Sequence, residues 1–245
     1  TVLHEQNKRL GMANAILAPR AARILLSYPD TAGRYPMENA RLVGNPVRAG
    51  FMAPPDRREA RARFDLDPDV PVVLVTGGSQ GARSLNGAMR DAVMRFEAGE
   101  AQFLWMTGQA DAPDARKAVE GARARVSVFA FIDDMPAACA AADLVVGRAG
   151  ASSTAELAVL GKPSILVPFP HATDNHQEAN ARAFVDAGAA VMMLDADCNG
   201  QSLAAEIRAL LEDKPRLDRM AHAARMLAKP GAAETIAEEI LAFAE

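Results

Sequence analysis

The 245-residue sequence predicts an α/β protein built on parallel sheets. Short β-branched and apolar runs alternate with longer helix-like patterns from Val70 onward. Two glycine-rich loops, 76–82 and 147–156, each follow a run that reads as a buried strand, and each opens into a helix-like pattern. Half of the residues are hydrophobic and 24% are charged, the balance of a globular chain. No apolar run approaches the roughly 20 residues of a spanning helix.

At the start, Val2-Leu3 leads into His4-Glu5-Gln6-Asn7, a strand end carrying four polar groups. Residues 23–27 and 40–43 read as strands, the second ending at Gly44-Asn45-Pro46. Pro54-Pro55-Asp56 breaks the chain before a short charged helix at 57–64, and Asp67-Pro68-Asp69 is a turn. A domain boundary is expected between Val47 and Pro55. Beyond it the strands are expected at 71–76, 102–107, 126–131, 143–147, 163–168 and 189–194. The helices are expected at 83–97, 112–122, 134–141, 152–160, 174–187, 201–212, 215–228 and 231–244. Right-handed crossovers place the strand-to-helix loops on the carboxyl edge of the sheet, where ligands bind in such folds.

The net charge of −4 is unevenly spread. Residues 1–63 carry 11 Lys/Arg against 5 Asp/Glu, a surplus of six that leaves a deficit of ten on the remainder. A basic first segment suits an anionic membrane or a phosphorylated acceptor, or is simply a solvated face. Basic residues are not interleaved with aromatics, which disfavours nucleic acid. Cys139 and Cys198 belong to no Cys-x-x-Cys and read as reduced thiols.

The loop Gly77-Gly78-Ser79-Gln80-Gly81 lacks a Walker lysine and the dinucleotide spacing. It is left as a nest of amides ahead of a helix, suited to an anion, since its glycines show no evident packing purpose. The loop at Gly150-Ala151-Ser152-Ser153-Thr154 is a second such site, although Ser152 or Ser153 also fits a helix N-cap. Glu156, one turn into that helix, can accept both hydroxyls of a ribose. Together they suggest a nucleotide-sugar site. Asp133 and Asp134 read as capping groups. The Asp-x-Asp pairs at 65/67, 67/69 and 195/197 are weak metal candidates. His171 and His176 lack the spacing of a helical zinc pair, and the stretch around them, with Gln177, suits sugar hydroxyls.

Taken in order, several strings resemble the MurG family of bacterial glycosyltransferases. They are His-Glu-Gln-Asn at 4–7, Gly-Asn-Pro-Val-Arg at 44–48 and Gly-Gly-Ser-Gln-Gly-Ala at 77–82. Ala-Asp-Leu-Val-Val at 142–146 with the loop that follows, and Pro-Phe-Pro-His with Asn-His-Gln at 168–177, complete the set. The resemblance implies a GT-B fold of two Rossmann-like domains, the first only partly present. It divides the chain into 1–48 as part of an acceptor- and membrane-side domain, 49–228 as the UDP-sugar domain, and 229–245 as a helix packing back on the first. It implies transfer of N-acetylglucosamine from UDP-N-acetylglucosamine to a lipid-linked muramyl pentapeptide in peptidoglycan synthesis, at the cytoplasmic face of the inner membrane and with no metal in the site. Arg48 and Ser79 would lie near the donor phosphates, Gln80 would bind substrate beside them, Ala151, Ser152, Ser153 and Thr154 would face the pyrophosphate, and Glu156 the ribose. Ile132 would present its backbone to uracil, Gln177 with His176 would read the sugar, and Asn7 would line the cleft. Family members carry an earlier glycine-rich loop ending in His, absent here, so the catalytic base is expected in a segment ahead of Thr1. A donor-binding module of a split enzyme, another glycolipid synthase and a sugar-nucleotide epimerase are the alternatives.

Overall fold

The computed structural model describes residues 1–243. Ala244 and Glu245, the end of the expected C-terminal helix and segment, lie outside the described residues. A first sheet holds β1 (Val2–Glu5), β2 (Arg23–Leu26) and β3 (Ala40–Leu42), all parallel and in that order. Between β1 and β2 lies α1 (Met12–Leu17), a short helix that buries none of its residues. The chain then crosses through α2 (Ala49–Met52) and α3 (Arg57–Arg63).

The second sheet carries β4 (Val72–Thr76), β5 (Gln102–Met106), β6 (Arg125–Phe129), β7 (Leu144–Gly147), β8 (Ser164–Leu166) and β9 (Ala190–Met192). Its order is β6-β5-β4-β7-β8-β9 and every pairing is parallel. This is the doubly wound Rossmann order, in which the winding reverses between β4 and β7. The helices are α4 (Arg83–Val93), α5 (Ala112–Ala118), α6 (Met135–Ala141), α7 (Ala151–Leu160), α8 (His176–Asp186), α9 (Gly200–Glu212), α10 (Lys214–Leu227) and α11 (Ala232–Leu241).

Because a strand turns alternate residues to opposite faces, β4 feeds two cores. Val73 and Val75 join Phe103, Trp105, Val146 and the buried sides of α4 and α9. Val72 and Leu74 join Leu104, Val145, Leu166 and the buried sides of α3, α6, α7 and α8. Buried on both faces, these strands read as continuous apolar runs in the sequence, which is why they were legible.

Some elements stop short of expectation. The helix expected over 83–97 ends at Val93, because the chain turns there and Phe96 packs edge-on to Phe103, ring centroids 5.1 Å apart. The helix expected to open at Asp174 starts at His176; Asp174 and Asn175 are left-handed, with φ of 51° and 54°.

One buried ion pair stitches α3 to the amino edge of the second sheet. Arg61 is 2% exposed, and its guanidinium reaches the Asp143 carboxylate at 2.6 Å and the carbonyls of Ala141 and Pro68. Burial pulls its pKa down and Asp143 opposes that. Asp143 also accepts from the Val72 amide at 2.8 Å and pairs with Arg57 at 2.6 Å. Substituting Asp143→Ala leaves a buried guanidinium without its counter-charge, and is predicted to cost about 3–5 kcal/mol in urea denaturation. A loss under about 1 kcal/mol would show that the carbonyls alone hold Arg61.

Candidate active site

At the reversal point the loops after β4 and β7 diverge and leave a crevice. Two helices, α4 and α7, begin at its rim, and neither has a side-chain cap; their N-caps are Ala82 and Gly150. Four other helices are capped by side chains, α3 by Asp56, α6 by Asp134, α9 by Asn199 and α10 by Asp213, whereas α1, α2, α5, α8 and α11, like α4 and α7, have no side-chain cap. The first amides of α4 and α7 thus lack the carboxylate or amide that satisfies them in those four helices, which leaves the crevice suited to an anion.

The Gly77–Gly81 loop is shaped by packing as well as by openness, which corrects the expectation that its glycines have no packing role. A Cβ on Gly81 would stand 2.2 Å from the Thr107 carbonyl oxygen, and φ there is +77°. Gly78 also has positive φ, yet nothing lies within 4 Å of where its Cβ would be. Gly81 therefore closes the loop against β5, whereas Gly78 supplies a turn conformation at an open rim.

A pocket of about 410 Å³ opens between the loops. Arg48, Ser79, Ile132, Ser152, Ser153 and Glu156 all line it. One lobe is apolar, formed by Met106, Phe131, Ile132, Met135, Cys139 and Leu157. Burial pushes the Cys139 thiol up to about 12, so it acts as part of the apolar wall. The buried Ile132 amide donates to the Met106 sulfur at 3.3 Å, a weak acceptor. Glu156 faces Arg48, whose Nε lies 3.0 Å from Oε1, and the guanidinium also covers the Phe51 ring at 4.9 Å. Burial raises the Glu156 carboxyl above the usual carboxylate range, and Arg48 opposes that shift.

Across the 77–81 loop a wider hollow of about 850 Å³ is lined by Gln80, His171 and Gln177. Gln177 accepts from the Phe169 amide at 3.0 Å, and His176 donates through Nδ1 to the Thr173 carbonyl at 2.7 Å. His176 lines neither cavity, and the remaining expected residues also fall elsewhere. Ala151 lines a hollow between the two sheets' units rather than the crevice. Thr154 is fully buried; its hydroxyl donates within α7, to Gly150 and Ala151 carbonyls at 3.1 and 3.0 Å, and it meets the Tyr28 hydroxyl at 3.4 Å. Its side chain packs under the helix instead of facing the crevice. Neither Ser152 nor Ser153 is the N-cap, because α7 starts one residue earlier, after Gly150. Asn7 lines a shallow hollow at the end of β1 and binds Glu5 and Asn180.

Of the acidic pairs, Asp65 pairs with Arg125, Asp67 accepts from the Asp69 amide at 2.8 Å, and Asp195 is committed to Arg148 and Ser84. Among the described residues no group of three or more His, Cys, Asp or Glu converges as a metal set.

The model of the glycosyltransferase family 28 C-terminal domain matches residues 72–236. The chain belongs to that family. A curated relative from Nitratidesulfovibrio vulgaris (Hildenborough) is 42% identical over 98% of the chain, which spans 65% of that relative. One from Lactiplantibacillus plantarum is 37% identical over 96% of the chain and 65% of its own length. Both are named UDP-N-acetylglucosamine–N-acetylmuramyl-(pentapeptide) pyrophosphoryl-undecaprenol N-acetylglucosamine transferase. Among solved structures, Acinetobacter baumannii MurG superposes with a TM-score of 0.82 at 28% identity, over 98% of this chain and 66% of that one. The family 28 chain thus spans about two thirds of the length of these relatives, with a GT-B type α/β architecture.

Two site residues had no role assigned from sequence. Arg148, in the loop after β7, donates to Asp195 at 2.5 Å, to the carbonyls of Val167 and Pro168, and to Ser84. It clamps the ends of β7, β8 and β9 to the start of α4. Its partner lies 47 residues away, so no local spacing could reveal it. Asn180 is fully buried on α8, one turn from the buried Phe184. A polar residue on an apolar stripe was the available signal. Replacing Asp195 by Ala strands Arg148, which is 10% exposed, and is predicted to cost about 3 kcal/mol in urea denaturation. The double variant R148M/D195L should lose less than D195A alone; an equal or larger loss would contradict the clamp reading.

Proposed function

We propose that this chain is the donor-binding part of an inverting glycosyltransferase that moves N-acetylglucosamine from UDP-N-acetylglucosamine to a lipid-linked muramyl pentapeptide in peptidoglycan synthesis. The observation that carries the reading is one pocket in which the uncapped start of α7, with Glu156 one turn inside it, faces the Gly78-Ser79 loop that leads into α4. The relatives' names supply the substrate pair.

In this reading the uracil enters the apolar lobe and exchanges hydrogen bonds with the Ile132 backbone. The ribose diol donates to Glu156. The diphosphate lies against the amides around Ser79 and at Ser152–Ser153, with Arg48, which is 61% exposed, swinging from Glu156 toward it. Gln177, His176 and Gln80 border the sugar. The acceptor hydroxyl attacks the anomeric carbon, the bond to the diphosphate oxygen breaks, and UDP leaves with its added charge met by the two helix N-termini and Arg48. The proton of the acceptor hydroxyl passes to a general base. The diphosphate is held without a metal ion.

The lipid-linked acceptor places the reaction at a membrane surface, peripherally and on the cytoplasmic side. The basic surplus of residues 1–63 supports attraction to anionic lipid. So does α1, where Met12 and Ile16 are 67% and 66% exposed beside Lys8, Arg9 and Arg20. Among the described residues no helix is long and apolar enough to cross a membrane.

Calorimetric titration of the chain in EDTA tests the donor site. UDP-N-acetylglucosamine should bind in preference to UDP-glucose and GDP. Binding lost to EDTA and restored by a divalent ion would overturn the metal-free diphosphate site. Glu156→Gln should weaken binding roughly 10- to 100-fold, the span of about 1.5–3 kcal/mol for hydrogen bonds to a charged group. The sign of the pH effect follows from burial. The carboxylate is the form that accepts the diol, and its pKa is raised, so affinity should fall with falling pH sooner than an ordinary glutamate allows. The E156Q variant should lack that step; an identical profile in both proteins would remove Glu156 from the ribose site.

A further inference from the structure

We propose that Asn180 is a positioning residue that couples occupancy of the donor crevice to the placement of Asn7 on the opposite unit. The inference rests on the donor reading of the crevice. It starts from one side chain that touches both units and nothing else polar. Asn180 is 0% exposed. Its Oδ1 accepts from the Lys8 amide at 2.9 Å. Its Nδ2 donates to Asn7 Oδ1 at 3.1 Å and to the Ala149 carbonyl at 3.1 Å.

The carboxamide is planar, so these three partners hold a fixed relation to one another. Two belong to the segment leaving β1. The third immediately precedes Gly150, the N-cap of α7, where the diphosphate is proposed to bind. Both donors of a buried amide are committed, and moving either partner away exposes an unmet polar group, at a cost that the site avoids only by moving as one.

Asn7 is held from its other side too. Glu5, 3% exposed, accepts from the Asn7 amide at 3.0 Å and from Asn7 Nδ2 at 3.2 Å. The same carboxylate takes the Gly11 amide at 2.7 Å and Asn14 Nδ2 at 2.9 Å, which makes the 5–14 segment one braced loop. Asn7 keeps one Nδ2 hydrogen for a ligand, aimed by Asn180 and Glu5 together. Arg9 adds a second tie, from Nη1 to the Asp174 carbonyl at 3.2 Å, in the turn that opens α8. A ligand that tightens the α7 loop and the first turn of α8 therefore draws on Asn7 through Asn180. By linkage, anything that fixes Asn7 favours the donor equally.

Residue-resolved amide hydrogen exchange on the 245-residue chain, with and without saturating UDP-N-acetylglucosamine, tests this. The Lys8 amide should be protected in the free chain and more protected with the donor. Asn180→Ala should lower Lys8 protection by at least about tenfold and abolish its dependence on donor, while donor still binds. A residue that only supports the fold would lower protection without removing a ligand-dependent part. Should N180A not fold, Asn180→Ser and the wild-type response carry the test. Donor binding with no change at Lys8 overturns the coupling alone. No donor binding to folded wild-type chain overturns the coupling and the donor reading together.

Discussion

Between β4 and β7 the winding of the six-stranded sheet reverses, and the site depends on that one topological constraint. Crossovers on either side lead away to opposite faces, so no connection covers the carboxyl ends of these two strands. The backbones are free to approach there: a Cβ on Gly147 would lie 2.9 Å from the Thr76 carbonyl. Close central strands bring two helix starts to one crevice. The side-chain caps found on α3, α6, α9 and α10 are missing at this rim, so the unmet donors of α4 and α7 gather where a diphosphate would lie.

Polar groups rather than apolar area register the first sheet against this crevice. Asn180 bonds both units, Tyr28 meets Thr154, Arg48 meets Glu156, and Arg23 on β2 pairs with Glu239 of α11 at 2.8 Å. Directional contacts fix an angle more sharply than a greasy face does, yet each is worth little when solvated. A GT-B site between two units needs that balance of register and ease of adjustment.

Most of the second sheet was legible because its inner strands β4, β5, β7 and β8 are buried on both faces and read as apolar runs. The glycine-rich loops marked the carboxyl edge correctly. Less legible was everything that depended on distant partners. His4 spends its ring on the Gly44 carbonyl at 3.0 Å, and Glu5 braces its own loop; neither role can be read from a polar string. Thr154 sits in a run of hydroxyls, but helical rotation turns it under α7 while Ser152 and Ser153 face the pocket. The left-handed pair Asp174-Asn175 delayed the start of α8, since Asn and Asp tolerate that conformation without advertising it. Arg148 was visible as a residue, but nothing in the sequence linked it to Asp195, which offered only a weak metal pairing with Asp197.

The central claim is that one anion lies between the starts of α4 and α7. A ¹⁵N amide titration of the chain with UDP tests it most directly. The account predicts the largest shifts at Gly78, Ser79, Gln80, Ser152 and Ser153, with smaller ones at Ile132 and Glu156. Shifts confined to another surface, such as the basic hollow around Arg57, Lys162 and Arg225 on the far edge of the sheet, would contradict it.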